Sequence, residues 1–252
     1  MWVLEAEEPR GMMKNKVWLK NTENNRRALF KPDTEENESE KSIVFYQVCA
    51  HLGVSCAKTE LFEYEGKKGC LSYDVGHRRL IANEGADLDI KTGSSLKDDV
   101  SYAEMESSIV DSVKIKFADM VYVDVLLRNI DRHSGNFKLL MNKNKQIVDL
   151  LGLYDNDQIL GEELSELSYF RWDTEVSEPL YEVIKKPYGV FPSRIKELLA
   201  KSVSLPVTIN HYDKIMERLI NICNSLEQDE YRSLAENNLM DYRKNNINKI
   251  KS

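Results

Sequence analysis

The sequence lacks an uninterrupted apolar run of roughly 18 residues, so it predicts no transmembrane helix. Its four cysteines are scattered without a Cys-x-x-Cys pair, and we expect them to be reduced thiols, mostly buried. No long block of lysine and arginine occurs before residue 240, and the net charge is −7, which argues against direct nucleic-acid binding. Together these absences indicate a cytoplasmic protein.

The amino terminus shows no secretory signal, because residues 1–8 are acidic and their apolar run is short. A regular pattern of apolar and polar residues begins only at Lys16. Residues 1–15 are therefore predicted to be a leader or extension, with Met12 or Met13 as an alternative start.

With only 11 glycines and 6 prolines among 252 residues, the composition is that of an ordinary globular protein. Periodicity predicts strands near 16–20, 26–31, 57–64 and 68–74 and a helix at 39–52. Beyond residue 76 it predicts helices near 106–128, 193–203, 211–227 and 228–247, and a hairpin of 137–141 with 146–150. We therefore predict an α+β, bilobal fold, with a small β-rich lobe at 16–76 and a larger, mainly helical lobe at 77–252.

One short motif concentrates the chemistry of the sequence. Asp-Arg-His-Ser-Gly-Asn-Phe begins at Asp131, and a predicted hairpin then turns the chain back, so that Asp155 can lie beside Asn136. An amide and a carboxylate are oxygen ligands suited to Mg²⁺, and Asp131 could accept the proton of an attacking hydroxyl. Lys31, at the end of a predicted strand, is the candidate cation for the phosphates of ATP. These residues predict a phosphotransferase with a protein-kinase-like core.

The motif at Asp131, with the later Tyr154-Asp155, resembles the catalytic loop and metal-binding acid of the HipA-like kinases. Its Asp-Arg-His-x-x-Asn part also resembles the catalytic loop of phosphatidylinositol kinases, a distant branch of the same fold. The resemblance implies that Asp131 is the catalytic base and that Asn136 and Asp155 bind magnesium. It further implies that Lys31 contacts the phosphates of ATP.

The resemblance extends over residues 16–160 and carries further expectations. It implies a hinge from Leu71 to Val75, including Tyr73, that receives adenine through backbone groups. It also implies phosphorylation of serine or threonine in a protein substrate. Some members of the family act as toxins in toxin–antitoxin pairs, so an antitoxin or regulatory protein is the partner that the resemblance suggests.

The sequence departs from the family pattern in ways that keep two rivals open. The turn at 20–26 lacks the glycines of a phosphate-binding loop, which favours a nucleotide-binding pseudokinase or regulatory partner, and Asn156 follows Asp155 where ordinary protein kinases have Phe-Gly. The shared motif also fits a lipid or small-molecule kinase, although no basic or amphipathic membrane-facing segment is evident. The chain is predicted to be too short for the extra N-terminal subdomain of longer HipA proteins, which argues against antitoxin docking of the HipA kind. Thr22, in that turn, is predicted to be self-phosphorylated beside the nucleotide phosphates, which would weaken ATP binding.

Three further side chains, His133, Arg132 and Glu40, have two interpretations each. His133, counted here with the cofactor-binding residues, either stabilises the loop by bonding to its backbone or to Asp155, or acts as a base. Arg132 either steadies phosphates or pairs with an acid. Glu40 either forms an ion pair with Lys31 or is an exposed acid in the first turn of its helix.

Overall fold

The computed structural model describes residues 1–7, 15–34, 37–75, 88–92, 111–132, 134–160 and 192–250. Its N-terminal sheet contains β1 (Trp2–Glu7), β2 (Val17–Asn21), β3 (Arg27–Pro32), β4 (Thr59–Tyr64) and β5 (Lys67–Tyr73). Neighbouring strands are antiparallel and follow the order β1-β2-β3-β5-β4. The four strands predicted between residues 16 and 74 are all present, and each lies within two residues of its predicted position.

Strand β1 is an element that the sequence pattern missed. It is an edge strand of the sheet, and its apolar residues are consecutive rather than alternating, with Leu4 52% exposed. Trp2 nevertheless belongs to the sheet: it pairs with Asn21 on β2, and its ring meets the ring of Tyr73 edge-on at 5.7 Å. Regular structure therefore begins at Trp2, and the prediction that it begins at Lys16 was wrong. The strand was missed because an exposed edge strand need not alternate buried and exposed residues.

Helix α1 (Glu38–Leu52) follows β3 and packs against β4 and β5. Its first turn is fixed by Asp33, whose Oδ1 accepts a hydrogen bond from the backbone N–H of Ser39 at 3.0 Å. The helix ends at Gly53, which has a φ of 75° in the left-handed region that glycine adopts without strain. The predicted helix and its glycine stop are both present.

The second sheet positions the catalytic-loop motif. It contains β6 (Leu88–Thr92), β7 (Phe137–Asn142) and β8 (Ile147–Leu153) in that order, and α2 (Asp111–Leu127) leads toward it. The turn of the β7–β8 hairpin is closed by Asn142, whose carbonyl accepts from the N–H of Lys145 at 2.9 Å. Phe137, the first residue of β7, pairs with Leu153, the last of β8. The residues just outside this pair, before β7 and after β8, are therefore neighbours in space.

The C-terminal part of the chain is helical, with α3 (Pro192–Ser202), α4 (Tyr212–Ser225) and α5 (Asp229–Ile250). These helices join α1, α2 and the second sheet around one core, which includes the fully buried Phe45, Phe117 and Leu219. Across it, the hydroxyl groups of Tyr122 and Ser202 are 2.8 Å apart. A β-rich N-terminal sheet and a helical C-terminal part confirm the predicted α+β class. Among the described helices, none combines the length and the apolar character that crossing a membrane would need.

Replacing Gly69 by alanine is expected to lower the free energy of unfolding by about 1–3 kcal/mol or more, through overpacking of backbone atoms. A Cβ at Gly69 would lie 2.2 Å from the carbonyl oxygen of Lys31 and 2.7 Å from the Cα of Pro32. Urea unfolding of Gly69→Ala and of the exposed neighbour variant Lys68→Ala measures the effect. Equal stability of the two variants would contradict this account of the β3–β5 contact.

Candidate active site

A cleft of about 380 Å³ lies between the N-terminal sheet and the β7–β8 hairpin. This volume is within the range of sites for small molecules and cofactors. Five of the residues predicted for the site line it: Lys31, Tyr73, Val75, Asn136 and Asp155. They come from β3, from the end of β5 and from the two ends of the hairpin, so the fold brings distant parts of the sequence to one cleft.

Lys31 forms ion pairs with two carboxylates beside the cleft. Its Nζ donates hydrogen bonds to Asp155 Oδ1 at 2.5 Å and to Asp157 Oδ2 at 3.0 Å, and its side chain is only 9% exposed. Burial by itself would lower the pKa of Lys31, but the charges of Asp155 and Asp157 outweigh it and raise the pKa above its ordinary value. Lys31 is therefore a fixed cation at neutral pH. The sequence interpretation missed the contribution of Asp157.

Asp155 lies between two lysines. In addition to its hydrogen bond with Lys31, its Oδ1 is 3.5 Å from the Nζ of Lys16. Burial by itself would raise the pKa of Asp155. The charges of Lys31 and Lys16 have the larger effect and lower the pKa to about 2. Its φ of 58° is in the left-handed region, which residues with side chains adopt mainly where the surroundings impose it. Asp155 is thus an ionised carboxylate held in a fixed position at the cleft.

The catalytic-loop motif holds Asn136 and Asp131 against each other. The side chain of Asn136 is buried, and its Nδ2 donates to the carbonyl oxygen of Asp131 at 2.9 Å. The backbone N–H of Tyr154 donates to the carbonyl oxygen of Asn136 at 3.1 Å, which places Asp155 directly after a residue bonded to Asn136. Asp131 is half-buried, and its N–H donates to Asn129 Oδ1 at 3.2 Å. The loop therefore brings the Asn136 amide to the hairpin end where Asp155 lies. Asp131 is bonded to Asn136 but is not among the residues that line the cleft.

Arg132 stabilises the catalytic-loop motif through buried hydrogen bonds. Its guanidinium is completely buried and forms a two-point contact with the Asp124 carboxylate of α2, at 2.9 and 3.0 Å. It also donates to the carbonyl oxygens of Asn136 at 2.9 Å and Tyr154 at 3.2 Å, and to Asn156 Oδ1. Of the two interpretations of Arg132, pairing with an acid is the one that the structure contains. One buried side chain thus joins α2, the loop and the segment after β8.

The donor set fits magnesium better than a closed metal centre. Within the described residues, no group of three or more His, Cys, Asp or Glu side chains could hold a metal ion. Magnesium bound with nucleotide needs only one or two carboxylates, because phosphate oxygens and water complete its shell. The Asp155 carboxylate can provide one ligand. The Nδ2 of Asn136 is engaged with Asp131, which leaves its amide oxygen as the second.

Two of the predicted cofactor residues are placed differently or are not described. Leu71 does not line the cleft; it is completely buried among Leu19, Ala28 and Phe30. Its neighbour Ser72 lines the cleft, since successive side chains of a strand point to opposite faces of the sheet. His133 lies outside the described residues.

Thr22 lies in the β2–β3 turn, far along the hairpin from Lys31. Lys20 pairs with Arg27 and Val17 pairs with Phe30, so the β2–β3 turn is at the end of the hairpin opposite Lys31. There the N–H of Thr22 donates to the carbonyl oxygen of Met1 at 2.8 Å. Thr22 is therefore remote from Lys31, the residue predicted to contact the phosphates of ATP. Its self-phosphorylation stays a prediction.

The connection between β1 and β2, unlike the β2–β3 turn, has its C-terminal end near Lys31. It comprises residues 8–16, includes Gly11 in its sequence, and ends at Lys16, which is 3.5 Å from Asp155. Residues 8–14 are outside the described part.

Acid is expected to destabilise the protein between about pH 4 and pH 2 through Asp155. Its folded-state pKa of about 2 is below the ordinary 3.8, so the ionised carboxylate stabilises the fold fully above the ordinary value. That contribution is lost as the pH falls through the folded-state pKa. Urea unfolding should therefore show a smaller pH dependence in this window for Asp155→Asn than for the exposed control Asp241→Asn. Identical slopes in the two variants would contradict the assignment.

Comparison with known proteins gives structural similarity and no sequence family. No family model and no curated protein matches this chain. The structures to which it is similar include a kinase, the proinflammatory kinase CtkA of Helicobacter pylori, at 17% identity, a TM-score of 0.46 and coverage of 91% of this chain and 90% of that chain. They also include HipA of the Shewanella oneidensis MR-1 toxin–antitoxin system, in complex with HipB and its operator DNA.

The similarity to HipA is at 11% identity with a TM-score of 0.44, and it covers 96% of this chain and 65% of that chain. The motif at Asp131 resembles the HipA-like kinases, a family that is named after HipA.

Proposed function

We propose that the protein is a phosphotransferase that uses ATP and Mg²⁺ to phosphorylate serine or threonine side chains of a protein substrate. The observation that supports this most directly is the meeting of Lys31, Asn136 and Asp155 at one end of a 380 Å³ cleft. Phosphoryl transfer depends on positioning and on compensation of phosphate charge, with little covalent help from the protein. A fixed cation, an ionised carboxylate and an amide oxygen provide both.

Each side chain has a role that follows from its chemistry. Lys31, protonated and buried, donates to phosphate oxygens of the nucleotide. Asp155 and Asn136 hold the magnesium ion, which when bound neutralises charge on the phosphates. Lys16 adds a second cation beside Asp155, a residue that the sequence interpretation did not single out. Backbone groups near Tyr73 border the part of the cleft where the adenine would bind.

Asp131 is the proposed general base. The substrate hydroxyl oxygen forms a bond to the γ-phosphorus as the bond from that phosphorus to the β–γ bridging oxygen breaks. The hydroxyl proton passes to the Asp131 carboxylate, and the products are ADP and a phosphoester. The hydrogen bond from Asn136 to the Asp131 carbonyl keeps the base next to the proposed metal ligand.

The partners and location follow from the same proposal. A protein substrate and an antitoxin or regulatory protein are the expected partners, and the expected location is the cytoplasm. The acidic net charge of −7 supports the absence of direct nucleic-acid contact. These remain predictions.

Incubation with γ-labelled ATP and Mg²⁺ tests the proposal when the acceptors are a mixture of proteins and, separately, vesicles containing phosphatidylinositol. Label on serine or threonine that is lost in Asp155→Asn supports the proposed function. Labelled lipid without labelled protein would favour a lipid kinase. Calorimetric binding of ATP with no transfer to any acceptor would favour a pseudokinase.

A further inference from the structure

In the part of the chain that the structure describes, Lys31 has two carboxylate partners, and both come from the segment after β8. Its Nζ is 2.5 Å from Asp155 Oδ1 and 3.0 Å from Asp157 Oδ2. The two carboxylates differ in exposure, because the side chain of Asp155 is 35% exposed and that of Asp157 is 10% exposed. Asp155 therefore faces the cleft, whereas Asp157 lies behind Lys31.

The acids of α1 are engaged elsewhere. Glu38 accepts hydrogen bonds from the backbone N–H of Thr34 at 2.8 Å and from its hydroxyl group. Glu40 accepts a hydrogen bond from the side-chain amide of Asn210, so the Lys31–Glu40 pair considered from the sequence is not formed. Within the described helix α1, neither of these carboxylates contacts Lys31.

The backbone that carries Asp157 is anchored on both sides. Asn156 accepts from the buried Arg132 and donates to Cys56 Sγ at 3.6 Å. The carbonyl oxygen of Gln158 accepts from the N–H of Ile130 at 3.1 Å. With Asn156 directed toward Arg132, its two neighbours are both free to reach Lys31. The position of Asp157 is therefore set by the fold and does not depend on a bound ligand.

Asp157 also borders a different space from Asp155. It lines a small cavity of about 10 Å³ together with Lys31 and with Ser39 and Ser42 of α1, whereas Asp155 lines the large cleft. The hydroxyl oxygen of Ser42 is buried without a hydrogen-bond partner. The buried Asp157 thus defines the inner side of Lys31, and Asp155 at the cleft defines its outer side, which faces the proposed ligand.

We infer that Asp157 is a positioning residue that holds Lys31 in the cleft, in place of a carboxylate from helix α1; this inference rests on the phosphotransferase function proposed above. When Lys31 transfers its outer hydrogen bond from Asp155 to a phosphate oxygen, Asp157 retains the inner one. Asp155 is then available as a ligand, and the ammonium group stays in place. Without Asp157, Lys31 keeps Asp155 as its one carboxylate partner among the described residues and competes there with the metal.

Asp157→Asn is expected to lower kcat by about tenfold to a hundredfold, the effect of misplacing a catalytic group by a fraction of its hydrogen-bond length. KM for ATP should change less than kcat, because the walls of the cleft are unaltered. The magnesium concentration for half-maximal binding of a nonhydrolysable ATP analogue, measured by calorimetry, should rise. Asp157→Glu should recover part of the loss, since it restores a carboxylate. Glu40→Gln, which changes a carboxylate bound to Asn210, is the matched control and should behave like the wild type.

Three outcomes would overturn the inference. One is an Asp157→Asn protein whose kcat and magnesium dependence equal those of Glu40→Gln. Another is a variant with a lower melting temperature but unchanged kcat and magnesium dependence, because Asp157 would then be only structural. The third is an added loss when Asp157→Asn is combined with Lys31→Met, since a residue that acts through Lys31 has no further effect once Lys31 is absent.

Two controls keep these outcomes separate from failure of the proposed function and from failure to fold. If the wild type neither transfers phosphate nor binds the ATP analogue, the proposed function itself fails. If Asp157→Asn does not fold, the Lys31→Met/Asp157→Asn double variant should fold better than the single variant, because it leaves no buried lysine that has lost one of its two carboxylates. A double variant no more stable than the single one would also count against the pairing.

Discussion

Asp131→Asn is expected to lower kcat for phosphoryl transfer by about a hundredfold to ten-thousandfold, the usual contribution of a general base. Asparagine keeps the size of the side chain and cannot accept the hydroxyl proton. The contacts that position the loop are made by backbone atoms of Asp131, to Asn129 and Asn136, and these contacts remain in the variant. KM for ATP should therefore stay near the wild-type value.

Steady-state kinetics with saturating Mg²⁺ measure the effect. The control is Asp89→Asn, an exposed acid on β6 whose side chain is 67% exposed, and it should keep wild-type kcat. Unaltered transfer by Asp131→Asn would remove Asp131 from the mechanism. A rise in KM without a change in kcat would assign it to nucleotide binding instead.

Arg132→Met is expected to cost about 3–5 kcal/mol of unfolding free energy, because it leaves the buried Asp124 carboxylate without its cation. Asp124 is 1% exposed and receives two hydrogen bonds from Arg132, so water cannot take the place of the guanidinium. The carbonyl oxygens of Asn136 and Tyr154 lose donors at the same time. We expect the melting temperature to fall by roughly 10 °C, given the size of the chain.

The matched control for this effect is Arg243→Met. Arg243 is 48% exposed and pairs with Asp213 and Glu217 at the surface, where an ion pair is worth about 0–1 kcal/mol. Urea unfolding should separate the two variants clearly. The double variant Arg132→Met/Asp124→Asn should recover part of the loss, because it removes the unpaired buried charge. An Arg132→Met protein as stable as Arg243→Met would contradict the role given to Arg132.

Local patterns predicted the elements well where they are buried on one face. Helix α1 and its stop at Gly53 follow from apolar spacing and from the left-handed conformation that glycine accepts. The hairpin of β7 and β8 follows from two apolar runs around a polar turn, and its length brings Asp155 back beside Asn136. The proximity of these two residues needed only strand geometry, which the spacing in the sequence contains.

The features that could not be predicted from the sequence depend on contacts between distant segments of the chain. β1 lacks alternation because it is an exposed edge, and without β1 the sequence did not predict the connection that ends at Lys16 beside Asp155. The pairing of Lys31 with Asp157 joins residues 126 positions apart, and no local pattern distinguishes Asp157 from a turn aspartate. The engagement of Glu40 by Asn210 is likewise a tertiary contact. Propensity and spacing define elements, whereas the partner of a buried charge is defined by packing.

The most direct test is a structure of the protein with a nonhydrolysable ATP analogue and Mg²⁺. We expect one metal ion with oxygen ligands from Asp155 and Asn136 at about 2.1 Å, the distance typical of magnesium. The Nζ of Lys31 should then contact a phosphate oxygen while keeping its hydrogen bond to Asp157. A nucleotide bound elsewhere, or a metal ion that contacts neither Asp155 nor Asn136, would contradict the account.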